Sequence, residues 1–147
     1  MNTSIATLLA HKGGSTHTVP HTVTVAEAVQ EMIRHNIGSV LVMNGSQLAG
    51  IFTERDVLSR IVGGGLNPLT TPVASVMSAS VLTVGPETTV EEVMTLFQER
   101  GCRHLPVMAA GRLHGLISIG DVSRWVASMH RAEAESLRHY IAGDLSV

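Results

Sequence analysis

The chain has little with which to stack on a base, form a disulfide or cross a bilayer. Its aromatic residues are Phe52, Phe97, Trp125 and Tyr140, too few for the aromatic platforms on which single-stranded nucleic acids stack. A single cysteine, Cys102, excludes an internal disulfide and any cysteine-rich zinc site, and is compatible with a reducing cytoplasm. The formal net charge of −2 over 147 residues argues against the basic face through which phosphate contacts drive nucleic-acid binding. No stretch approaches the run of about 18 apolar residues that a membrane span needs. Residues 1–10 lack the basic region of a signal peptide. What is present, 15% charged and 44% hydrophobic residues, describes a folded globule rather than a disordered tail. Its size fits one compact domain or two small halves sharing a core.

The halves are written in the sequence. Residues 18–60 align without a gap on residues 83–125, 65 positions later. Thr18, Val19, Thr24, Val25 and Glu27 recur as Thr83, Val84, Thr89, Val90 and Glu92. Val42, Met43, Leu48, Gly50, Asp56 and Val57 recur as Val107, Met108, Leu113, Gly115, Asp121 and Val122. Unrelated segments of this length would share roughly two or three identities on average residue usage. An internal duplication of this kind sets the architecture.

Each copy reads as strand, helix, strand, strand, helix. Thr18–Val23 suits a short strand. Thr24 and Glu27 have capping-box spacing, and Val25, Ala28, Val29, Met32 and Ile33 follow as one helical stripe. Asn36 and Gly38 offer a stop. The residues 39–43 and 48–52 form two β-rich runs joined by Asn44-Gly45, a hairpin signal. Thr53 then opens a second helix carrying Val57, Leu58 and Ile61. The second copy repeats this with Thr89 and Glu92 as the box, Val90, Val93, Met94 and Phe97 as the stripe, and Gly101 as the stop. Its strands run over 103–108 and 113–118, with Pro106 pointing to an edge or irregular strand. Gly63-Gly64-Gly65 and the segment 68–72 form the joint, followed by a helical turn over 73–77. The expected divisions are 1–66 for an N-terminal segment and first repeat, 67–130 for the second repeat, and 131–147 for a C-terminal helix extension. On that last helix Val122, Trp125, Val126, Met129, Leu137, Tyr140 and Ile141 share a face, which would cover the first ten residues or form a dimer contact. One copy alone buries too little apolar surface to fold well. Two copies packed through their sheets about an approximate two-fold axis would share a core and create two clefts.

Both copies end on a hydroxyl residue followed by an aspartate one turn later: Thr53-Glu54-Arg55-Asp56 and Ser118-Ile119-Gly120-Asp121. The plain reading is a capping-box variant that satisfies the free amides at a helix start. The functional reading is that a hydroxyl at a helix N-terminus suits a phosphate oxygen, while a nearby carboxylate accepts ribose hydroxyls. Both readings fit the pattern.

With that motif in register twice, the chain resembles a tandem cystathionine-β-synthase (CBS) domain pair, or Bateman module, of stand-alone bacterial type. The resemblance spans about residues 8–130. Further support comes from Thr-Val-Ala-Glu-Ala at 24–28, Thr-Val-Glu-Glu-Val at 89–93, Val-Met-Ser at 76–78 and Arg-His-Leu-Pro-Val at 103–107. It implies an α+β fold of two β-α-β-β-α repeats and a non-enzymatic, cytoplasmic, homodimeric regulator that binds AMP, ADP, ATP, NAD or S-adenosylmethionine. It requires no cofactor and passes its signal to a protein partner. Residue by residue, it implies that Asp56 and Asp121 hold ribose hydroxyls and that Thr53 and Ser118 contact ribose or phosphate. The backbone at Ile37-Gly38 and Cys102-Arg103, with Pro106 nearby, would meet the adenine. Arg55, Arg103 and His104 are the cations expected at phosphate. The second loop has Ile119-Gly120 in place of Glu54-Arg55, so unequal sites are expected. The second copy also carries Pro86 before its helix where the first has His21, with Pro20 one residue earlier.

Eight histidines raise the question of a metal. His17 and His21 are separated by Pro20, and Cys102 and His104 lack a third ligand at a recognisable spacing, so structural or surface roles are expected for them. No nucleophile with an activating base is evident. The alternative to a nucleotide sensor is a dimerisation scaffold whose clefts are empty of ligand.

Overall fold

The structure, a computed structural model, describes residues 3–13 and 16–145, and their side chains except those of residues 140 and 142–145. It divides into two compact units. One comprises Gly14–Val84 and Pro106–Gly115; the other comprises Met1–Gly13, Gly85–Leu105 and Leu116–Val147.

In the first of these, β1 (Thr18–Pro20) runs parallel to β2 (Ser39–Asn44), and β2 pairs antiparallel with β3 (Gln47–Thr53). A parallel pair needs a crossover, supplied here by α2 (Val25–His35). The Thr24 hydroxyl accepts from the Glu27 N–H at 3.3 Å, and Asn36 closes the helix in the left-handed conformation at φ 52°. Both ends are set by the residues the sequence marks. Val25, Ala28 and Met32 turn inward onto Val40, Val42, Phe52, Ile61 and Val73. Four successive residues of β2, Ser39–Val42, are buried, as befits a strand covered on both faces. The expected stripe is narrower than its periodicity suggests, because Ile33 is 65% exposed.

The first strand is shorter than expected, ending at Pro20. Gly45 forms the β2–β3 turn at φ +62°, and the register shifts between Val42 and Met43. Gly50 has a packing reason. A Cβ there would lie 2.6 Å from the Ser78 carbonyl oxygen and 2.7 Å from Met77 Sδ, since residue 78 bridges Ile51. After Thr53 the chain makes a short α turn, α3 (Glu54–Asp56), then continues as a π-helical stretch, Val57–Val62. Ile61 of that stretch is buried, but Leu58 is 69% exposed. A 3-10 turn at Val73–Ser75 follows the glycine joint.

β4 (His104–Ala109) and β5 (Arg112–Ser118) form a two-stranded sheet. Ala110 and Gly111 both have positive φ, the requirement of a two-residue hairpin turn. Pro106 is tolerated in β4 because its carbonyl, not its nitrogen, is used. The Val84 N–H donates to it at 3.0 Å, and the Met108 N–H donates to the Val84 carbonyl at 2.8 Å. The first strand of the second copy is thus reduced to the single Val84–Val107 bridge.

In the other unit, α4 (Val90–Arg100) carries the complete capping box of Thr89 and Glu92 and ends on left-handed Gly101. Val90, Val93 and Phe97 are buried, while Met94 is 43% exposed. A helix absent from the expectation, α1 (Ile5–Lys12), is capped by Ser4 and buries Ile5 and Leu8. Its start is tied down by the Ile5 N–H to the Thr88 carbonyl at 2.7 Å and the Val90 N–H to the Thr3 carbonyl at 2.8 Å. The last helix, α5 (Ile119–Leu145), begins buried at Asp121 and Val122. Residues 127–139 are exposed, so among the described side chains it is the first turns, with Trp125 against His11, that meet α1. Tyr140, expected on the apolar face, lies outside the described side chains.

Candidate functional site

The two hydroxyl–carboxylate motifs have the same geometry. The Thr53 N–H donates to Asp56 Oδ2 at 2.9 Å, and the Ser118 N–H donates to Asp121 Oδ2 at 2.9 Å. In return the aspartate N–H groups donate to Thr53 Oγ1 at 3.3 Å and to Ser118 Oγ at 3.1 Å. Just past each hydroxyl residue, the Glu54 N–H reaches the Gly38 carbonyl and the Ile119 N–H reaches the Arg103 carbonyl, both at 3.0 Å. Each helix start is therefore stitched to the residue entering the middle strand. Both motifs form the cap, and both carboxylates are buried at 7% exposure. A buried carboxylate needs compensation beyond one cap.

That compensation comes from different cations in the two copies. Arg60 Nε lies 3.6 Å from Asp56 Oδ1, while its Nη1 donates to the Val76 and Met77 carbonyls at 2.7 and 3.1 Å. Asp121 Oδ1 accepts from Arg124 Nη2 at 2.7 Å, and its Oδ2 accepts from Lys12 Nζ at 2.9 Å. The same ammonium donates to the Leu116 carbonyl at 2.9 Å. Arg55 is exposed, and the guanidinium at Asp56 is that of Arg60. The second loop lacks a cation of its own, yet its aspartate has the closer charged partners, one on the next helical turn and one on α1.

Asp121 lines a cavity of about 420 Å³ together with Leu8, His11, Lys12, Arg124 and Trp125. The His11 ring meets Trp125 edge-on at 5.0 Å. Trp125 Nε1 is buried with no hydrogen-bond partner among the described residues. In the first copy a smaller cavity of about 280 Å³ brings Ile37 together with Ile33, Asn36, Glu54 and Val57. The Glu54 carboxyl lies against Gly38, with its Cδ 3.2 Å from where a Cβ would be. The glycine backbone is thus approachable, and Glu54 lies against it.

A family model for the CBS domain matches residues 15–63 and 73–128. The chain belongs to the CBS-domain family. It is 42% identical over 125 residues to a mitochondrial CBS domain-containing protein of Arabidopsis thaliana, covering 82% of this chain and 61% of that relative's length. A crystal structure of a CBS-domain containing protein from Agrobacterium tumefaciens superposes with a TM-score of 0.78 at 36% identity, over 83% of this chain and 98% of that one. A CBS domain protein from Pyrobaculum aerophilum, crystallised in complex with AMP, shares the fold with a TM-score of 0.72 at 24% identity, over 80% and 88% of the two chains.

Within this CBS chain the remaining expected residues lie on the entering strands. Cys102 is half-buried, with its thiol 4.0 Å from the Leu96 carbonyl. Arg103 is exposed, His104 half-buried at the start of β4, and Pro106 buried. None of these four lines the Asp121 cavity. Sequence reasoning passed over Lys12, Arg60 and Arg124. The two arginines stand four and three residues after their aspartates, a helical spacing that places them on one face. Lys12 carries no such local signal. No helix among the described residues is long and apolar enough to cross a membrane.

Burial pushes the Asp121 carboxyl up, but the hydrogen bonds from Lys12 and from Ser118 outweigh it, and the group is held below the usual carboxylate range. A carboxylate with a depressed folded-state pKa contributes stability above its unfolded value of about 3.9 and loses it as pH falls through the folded value. Stability measured by urea unfolding of the wild type is therefore expected to fall as the pH drops below about 4. Asp121→Asn is expected to flatten that acid limb. An unchanged limb in the variant would remove Asp121 from the acid response.

Proposed function

We propose that this CBS protein is a regulatory module that binds an adenine nucleotide of the AMP, ADP, ATP or NAD type. The observation that carries the reading is the pair of buried carboxylates, each held at a helix start by the same two hydrogen bonds and each accompanied by a cation. A ribose-phosphate presents two vicinal hydroxyls beside an anion. A carboxylate accepts hydrogen bonds from the hydroxyls, and a cation together with helix-start N–H groups donates to the anion. In the second copy Asp121 takes the ribose hydroxyls while Lys12 and Arg124 turn toward phosphate. In the first copy Asp56 and Thr53 take the ribose. Glu54 moves off Gly38 to admit the adenine beside Ile37.

The AMP complex of a CBS protein of the same fold supports this ligand class. The module has no catalytic role in this reading. It acts as a homodimer, which Leu137 and Ile141, 61% and 50% exposed on α5, support. A reducing compartment suits its single free thiol.

A second reading, a ligand-free scaffold, is favoured by one observation: both aspartates are already fully engaged as caps. Thermal unfolding with AMP, ADP, ATP, NAD and S-adenosylmethionine at millimolar concentration separates the two. A ligand at a hundredfold excess over its Kd stabilises the folded state by about 2.7 kcal/mol. At least one member of the panel is expected to raise the melting temperature by several degrees. A flat response across all five would leave only the scaffold.

A further inference from the structure

The β1–α2–β2 crossover has a consequence at its open end. Because β1 and β2 are parallel, α2 runs back along them, and its last turn returns to the level where β1 begins. His17, the residue before β1, is held there by its carbonyl, which accepts from the Leu41 N–H at 3.2 Å. His35 is the last residue of α2, and Glu31 stands one turn earlier on the same face. The His17 and His35 rings stack with centroids 3.8 Å apart and planes 20° from parallel. Glu31 Oε1 lies 2.8 Å from His35 Nε2. One ligand atom from each of the three residues falls within 4.8 Å of the other two.

A helix C-terminus favours a histidine, and Glu31 with His35 is an ordinary pair at i and i+4. That accounts for two of the residues. It does not account for a second imidazole delivered from a different element onto the first. The Glu31 and His35 side chains are 25% and 33% exposed, so the cluster is open to solvent. Arg34 Nη1 reaches Glu31 Oε2 at 3.2 Å, which orients the carboxylate and leaves Oε1 toward the histidines.

We propose that His17, Glu31 and His35 bind one divalent first-row transition metal of the zinc type, with a fourth position open to water. Two imidazole nitrogens and one carboxylate oxygen suit zinc. Magnesium and calcium prefer oxygen-only shells. Ligand bonds of about 2.0–2.2 Å require the stacked rings to swing apart about their side-chain torsions so that both nitrogens face one point. The metal then clamps the start of β1 to the end of α2. This reading is independent of the nucleotide proposal.

The test uses the full, untagged chain, stripped with a chelator and free of nucleotide. Zinc is titrated against a chromophoric chelator, and the melting temperature is followed in parallel. One zinc per chain and a rise in melting temperature are expected, with no rise from magnesium. Cobalt in place of zinc is expected to give the intense visible bands of a four-coordinate site. Loss of partners one step removed from a metal already lowers affinity about 10–100-fold, so His17→Ala and His35→Ala are each expected to lower it at least that much. Glu31→Gln is expected to weaken it as well, and His21→Ala is the control that leaves it unchanged. All of these side chains are at least partly exposed, so metal-free melting should stay near wild type. Absence of zinc uptake by the wild type, or uptake that survives both His17→Ala and His35→Ala, overturns the proposal.

Discussion

Phe52→Ala is expected to destabilise the protein by about 3–5 kcal/mol, close to the whole stability of a small domain at the low end of about 5–15 kcal/mol. Phe52 is fully buried on β3, opposite Val40, in the cluster that includes Val19, Val25, Met32 and Ile61. Its ring is the largest fully buried side chain described. No neighbour is positioned to replace it, because α2 is capped at both ends by Thr24 and Asn36, and the π-helical stretch is held at its end by the Gly63 N–H to the Leu58 carbonyl. Urea unfolding should show a lower midpoint with an unchanged slope. Phe52→Leu keeps most of the volume and is expected to cost less than half as much. A Phe52→Ala loss below about 1 kcal/mol would mean that the cluster collapses into the gap, contrary to the usual partial relaxation.

The counterpart of Phe52 in the second copy is Ile117, also fully buried. That correspondence shows why so much of the fold is legible in the chain. Duplicated positions carry the same packing task, and cap spacing at Thr24, Thr53, Thr89 and Ser118 sets where each helix begins. Less legible are features that depend on what lies across from a residue. Ile33 and Met94 continue the apolar period of their helices yet are exposed, because a stripe records periodicity and not the width of the surface it meets. The helix α1 is eight residues long, too short to be stable on propensity alone, and forms through its backbone bonds to residues 88 and 90. The π-helical stretch at Val57–Val62 has no matching feature in the second copy, where the same alignment falls within the regular α5.

The site divides along the same line. Each hydroxyl and aspartate lie three residues apart, so local spacing finds them. The ion pair from Lys12 to Asp121 joins residues 109 apart in sequence, and nothing near either one announces it. The cluster of His17, Glu31 and His35 is of the same kind. In sequence His17 invites comparison with His21, while the parallel crossover brings it to His35. Chemistry written within one turn of chain is readable; chemistry assembled by topology becomes readable once the strand order is known.

Asp56→Ala and Asp121→Ala are expected to abolish the nucleotide-induced rise in melting temperature contributed by their own copies, and to differ in what they cost without ligand. Loss of a helix cap costs about 1 kcal/mol, which is the expectation for Asp56→Ala. Asp121→Ala also removes the acceptor for Lys12 and Arg124. Those side chains are 39% and 74% exposed and can turn to water, so the cost stays below the 3–5 kcal/mol of a fully buried pair, at roughly 1–3 kcal/mol. Thr89→Ala is the control that isolates capping. It removes a complete capping box on α4, at about 1 kcal/mol, from a residue outside the proposed site, and is expected to leave the ligand response intact. If the Asp56→Ala/Asp121→Ala double variant retains the full nucleotide shift, the ligand binds elsewhere and the ribose role is lost. If all three single variants lower stability while no nucleotide shifts any of them or the wild type, the aspartates are caps alone and the scaffold reading stands. Loss of the shift in the aspartate variants, with retention in Thr89→Ala, is the pattern that a ribose-binding carboxylate requires.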